Sequence, residues 1–81
     1  MNVMQLEQEL KRIGVPQWMY FLMHNGLPNE AFCLTPADGH WEVYYSERGL
    51  RSDLRTFSTE EEACEYLLGR LKRYGKQMSS R

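Results

Sequence analysis

The chain is poor in the residues that carry most protein chemistry. It has two histidines and two cysteines in 81 residues. Cys33 and Cys64 stand alone, without CxxC or CxxH spacing, so they form no recognisable zinc set with His24 and His40. One cysteine pair is also a thin disulfide framework, which predicts two reduced, buried thiols. There is no nucleophile elbow, no phosphate-cradling glycine loop and no paired-carboxylate motif. No metal or cofactor is therefore expected. No apolar run approaches the ~18 residues of a membrane span. The N-terminus places Glu7 and Glu9 before any basic residue and lacks the apolar core of a signal peptide. A cytoplasmic chain with no membrane partner is expected. An excess of one charge is lacking too: ten Lys/Arg against eleven Asp/Glu leave a net −1. That balance argues against a dedicated nucleic-acid binder, which shows a strongly basic face.

What is present reads as one small domain over residues 1–76 with a polar tail, 77–81. Val3, Leu6, Leu10 and Ile13 make one helical stripe. Gly14 follows as a left-handed cap and Pro16 as a block, so a helix is expected over 3–13. Glu7 and Lys11 form an (i, i+4) pair on it. The run Trp18–Met23 has no decisive periodicity; its length and aromatic content favour a strand. Further strands are expected over Ala31–Thr35, His40–Glu47 and about Leu54–Phe57. Asp38-Gly39 is a two-residue hairpin signal and Arg48-Gly49 opens another turn. Ser58 with Glu61, or Thr59 with Glu62, offers a capping box for a second helix. Its buried face would be Cys64, Leu67, Leu68, Leu71 and Tyr74, with Gly75 as the stop.

The predicted fold is α+β: an N-terminal helix, an antiparallel meander of three or four strands, and a C-terminal helix. Hairpin-length connections rule out parallel crossovers on this reading. The simplest packing puts both helices on one sheet face. On the strand 40–47, Trp41, Val43 and Tyr45 share the more apolar face and should meet the helices. Glu42 and Tyr44 would then be exposed on the other face, beside Ala31, Cys33 and Thr35. A helix–three strands–helix order also resembles double-stranded-RNA-binding domains. The second helix start, however, is Glu60-Glu61-Glu62, which would repel phosphates. Those carboxylates and the Arg70–Lys76 basic cluster suit the two ends of the helix dipole.

Three segments resemble small bacterial immunity proteins of polymorphic-toxin and contact-dependent growth inhibition systems. They are Leu27-Pro28-Asn29-Glu30-Ala31, Trp41-Glu42-Val43-Tyr44-Tyr45-Ser46-Glu47-Arg48-Gly49, and Phe57-Ser58-Thr59-Glu60-Glu61-Glu62-Ala63-Cys64-Glu65-Tyr66. The resemblance spans about residues 13–71 and implies a non-enzymatic cytoplasmic protein. Such a protein binds and blocks the C-terminal domain of one cognate toxin, often a nuclease. It carries over no catalytic residues. A nuclease has a basic cleft, so carboxylates around an aromatic anchor would occlude it. The candidate toxin-binding residues are Glu42, Tyr44, Glu47 and Asp53, chosen over Asp38, Glu60, Glu61 and Glu62. Two other classes stay open. One is a small RNA-processing or hydrolytic enzyme using His24 and His40; the other is an adaptor domain.

Overall fold

The computed structural model describes residues 1–23 and 28–75. The element order is α1 (Val3–Ile13), a 3-10 turn (Gln17–Met19), β1 (Tyr20–Leu22), β2 (Ala31–Ala37), β3 (His40–Glu47), β4 (Leu50–Phe57), α2 (Glu60–Leu71) and a 3-10 turn (Lys72–Tyr74). The class is α+β, with a four-stranded sheet in the order β1-β2-β3-β4.

α1 has the predicted limits. Asn2 and Gln5 close a reciprocal capping box, and Gly14 caps the end at φ 88°. Lys11 lies 3.6 Å from Glu7. α2 starts from Thr59, whose hydroxyl accepts the Glu62 N–H at 3.1 Å. Its buried stripe is Ala63, Cys64, Leu67 and Leu71. Tyr74 departs from the predicted stripe: it lies past the helix in the 3-10 turn and is 44% exposed.

The sheet corrects the predicted meander. β2–β3 and β3–β4 are antiparallel, but β1 pairs with β2 in parallel, Tyr20 opposite Phe32 and Leu22 opposite Leu34. The physical reason is length. β1 has three residues, so the chain needs to return only ~10 Å to start a parallel neighbour. The connection over residues 23–30 can span roughly 25 Å when extended. The general need for a long crossover holds for strands of ordinary length, not for one this short. The start of the apolar run, Trp18–Met19, belongs to the 3-10 turn Gln17–Met19 rather than to a strand.

Both helices lie on one face of the sheet. Leu6, Leu10 and Ile13 of α1 join Cys64, Leu67 and Leu71 of α2 in one cluster with Tyr20, Leu34 and Val43. Trp41 packs half-buried against the same cluster, and Tyr45 meets Phe32 on that side at 5.0 Å between ring centres. The predicted facing of β3 therefore stands. The helices run parallel. Their starts are joined by the Glu60 carboxylate, which accepts the Val3 N–H at 2.8 Å. Their ends meet where Gly75 is packed against the Ile13 carbonyl. Aligned dipoles repel side by side, and a carboxylate shared between both N-termini offsets that repulsion.

Candidate functional site

The four residues selected from sequence do not form one surface. Glu42 and Tyr44 lie on the face away from the helices. There Tyr44 is 1% exposed, which corrects the expectation of an exposed anchor. Ala31, Cys33, Thr35 and Ser46 on the same face are equally buried. Tyr44 stands opposite Cys33 across β2 and β3, and their side chains are hydrogen-bonded. Burial, then the Cys33 sulfur, pushes the Tyr44 hydroxyl pKa up. The Arg51 guanidinium lies 4.5 Å from the Tyr44 ring centre. Arg51 also reaches Glu42 Oε1 at 3.4 Å, and Glu42 Oε2 lies 3.2 Å from His40 Nε2. His40 Nδ1 is 3.0 Å from the Asp38 carbonyl. The Glu42 contact and then the Asp38 carbonyl raise the His40 pKa above its ordinary value. His40, Glu42 and Arg51 satisfy one another. His24, the other histidine of the hydrolytic alternative, lies outside the described residues.

Asp53 sits on the opposite side. β4 carries a bulge against β3, where the pairing passes from Val43–Arg55 to Tyr45–Ser52. Asp53 occupies the extra position at φ 57°. The bulge turns its carboxylate toward α2, where Arg70 Nη1 donates to Oδ2 at 2.9 Å. Arg55 Nη2 lies 3.2 Å from Oδ1. The Arg70 hydrogen bond holds the Asp53 carboxyl below its usual range. Asp53 is therefore a structural ion pair between sheet and helix.

Of the four, Glu47 alone is both exposed and, among the described residues, without an ion-pair partner. It ends β3, next to the Arg48-Gly49 turn, whose φ values of 52° and 75° are those of a tight left-handed hairpin turn. The ladder runs from Ala37–His40 to Ala31–Ser46, and Glu30 and Glu47 are the residues next beyond that last pair. Glu30 is also exposed and without an ion-pair partner among the described residues. Asn29 Oδ1 accepts the Arg48 N–H at 3.2 Å and ties the two segments together. Like charges close together at a sheet end repel, and among the described residues no cation is paired with either.

Beside this pair lies a groove of about 410 Å³ between the sheet and the end of α2. Phe32 and Tyr45 line it, and Trp18 and Tyr74 stand at its rim, 67% and 44% exposed. Glu30 and the Asp53–Arg70 pair complete the wall. Three non-glycine residues with left-handed backbone, Glu30, Arg48 and Asp53, gather at this end of the sheet. Such conformations cost of order 1–3 kcal/mol each and concentrate at functional sites. Sequence reading missed Trp18, Glu30 and Tyr74. Trp18 was visible as part of an apolar run, but its exposure depends on the 3-10 turn that lifts it off the strand.

Among the described residues no cluster of His, Cys, Asp and Glu is arranged to hold a metal ion. No described helix is long and apolar enough to cross a membrane. No family model, no curated protein and no solved structure matches the chain.

Proposed function

We propose that the protein is a bacterial immunity protein: a non-enzymatic cytoplasmic inhibitor that binds a cognate toxin domain and occludes its active site. The charge logic of such an inhibitor favours a nuclease toxin. The observation that carries this reading is the turn end of the sheet. Large aromatic side chains stand exposed there beside two carboxylates with no counter-ion among the described residues. Exposed aromatics ringed by polar groups are the usual composition of a protein interface. Of the residues chosen from sequence, Glu47 belongs to this surface. Glu42 is engaged by Arg51 and His40, and Asp53 by Arg70 and Arg55, so both support the scaffold.

The test is genetic and biochemical. The C-terminal domain of any large protein encoded immediately beside this chain is co-expressed with it. A one-to-one complex and cell survival are expected, and His40→Ala is expected to protect as well as the wild type. No complex with that domain, or protection that requires His40 and a hydrolytic activity, would remove the immunity reading.

A further inference from the structure

The groove beside Trp18 has a composition suited to one kind of guest. Its floor and rim are four aromatic rings, from Trp18, Phe32, Tyr45 and Tyr74. Ring faces attract cations, and Trp and Tyr attract them best. The groove already demonstrates this packing: Arg70, in its wall, holds its guanidinium 5.6 Å from the Phe32 ring centre. Asp53 pairs with that internal cation at 2.9 Å and with Arg55 at 3.2 Å, so one carboxylate offsets one of two guanidinium charges. Glu30 in the wall and Glu47 at the edge then leave local negative charge with no partner among the described residues. Glu30 lines the groove beside Tyr45, and Glu47 lies two residues along β3 from Tyr45, on the same face of the strand. A volume of about 410 Å³ exceeds one side chain and falls within the range of small-ligand pockets.

We infer that this groove receives an arginine side chain projecting from a partner protein, its guanidinium against the Trp18 and Tyr45 rings and paired with Glu30 and Glu47. Arginine fits better than lysine because its planar group both stacks on rings and takes two carboxylates through a fixed fork of donors. This rests on the immunity reading only for who the partner is; the chemistry of the groove is independent of it.

Two measurements test it. In the first, the whole protein labelled with nitrogen-15 is titrated with N-acetyl-arginine methylamide and, separately, with its neutral isostere N-acetyl-citrulline methylamide. The Trp18 indole N–H should shift saturably with the arginine compound, at least about 3-fold more tightly than with citrulline. The preference should vanish in Glu30→Gln/Glu47→Gln, both exposed positions whose replacement leaves the remaining spectrum unchanged. No saturable shift at Trp18, or an equal response to citrulline, overturns the inference. In the second, Trp18→Ala and the double Gln variant are measured against the toxin domain, where an anchor loss of roughly 30-fold in affinity is expected. Unchanged affinity in both variants with the toxin still neutralised overturns the groove and leaves the immunity reading standing. Arginine binding without any toxin partner does the reverse.

Discussion

At the scale of single residues, what separates function from scaffold is whether a charge already has a partner. Glu42 looks like an interface residue by composition, yet it holds His40 and Arg51. The His40 contact carries a pH signature. Its folded pKa lies above the ordinary 6.5, because Glu42 and then the Asp38 carbonyl favour the protonated ring. Its contribution to stability is fully present below about pH 6.5 and is lost as pH rises through the raised folded value. Wild type should therefore lose more stability than His40→Gln between about pH 5.5 and 8.5, measured as urea midpoints at each pH. Parallel curves for the two proteins would show that the contact carries no energy. Asp53 makes a second residue-scale case. Its φ of 57° is tolerated by Asp and Asn and costs other L-residues about 1–2 kcal/mol. Asp53→Ala should thus be less stable than Asp53→Gly by about 1 kcal/mol, although both lose the Arg70 pair. Equal stabilities would mean that the bulge relaxes once the carboxylate is gone.

Among the elements, legibility follows the length of the periodic signal. α1 and β3 are the most legible, since Val3–Ile13 has an apolar stripe closed by Gly14, and His40–Glu47 alternates between two turn signals; the Asn2 cap was not read. β4 was half read. Leu50–Asp53 gives no alternation because the strand lies at the sheet edge and is exposed on nearly every residue. Its Arg51, Asp53 and Arg55 also discourage edge-to-edge pairing. β1 was misread in direction, since three residues carry no information about which way they pair. The contact between α1 and the end of α2 was invisible from sequence, because Gly75 reads only as a helix stop. A Cβ at Gly75 would lie 2.6 Å from the Ile13 carbonyl oxygen, closer than real contacts come. Gly75→Ala should force the two helix ends apart and cost about 1–3 kcal/mol, read by thermal or urea unfolding. A stability equal to wild type would show that the helix ends do not touch in solution. Gly69, with open space around its Cβ position, is the internal control.

At the scale of the whole molecule, the sequence carried the class of surface and not its place. Aromatic and carboxylate side chains were visible, but their grouping depends on the bulge at Asp53, the turn at Arg48-Gly49 and the 3-10 turns at either side. None of these has a periodic signature. The same geometry buries one cysteine on each side of the sheet: Cys64 within the helix-facing core and Cys33 on the far face beside Tyr44. Both are free and 0% exposed. Burial raises both thiol pKa values, that of Cys64 to about 11. A thiol in this state reacts only when the structure opens and ionisation becomes ordinary again. If the sheet is the single cooperative unit of the fold, Cys33 and Cys64 should react with a disulfide reagent at about pH 8 at one common rate. That rate should equal the population of globally unfolded chain times the reaction rate of an unfolded thiol. A Cys33 that reacts faster than Cys64 would divide the molecule instead: the far face would open on its own while the helix-facing core stays shut, and Tyr44 would become accessible in that open state. The Leu67→Ala variant, which removes core packing and should cost about 2–5 kcal/mol, separates the two cases. It should accelerate both thiols equally in a one-unit molecule and Cys64 alone in a divided one.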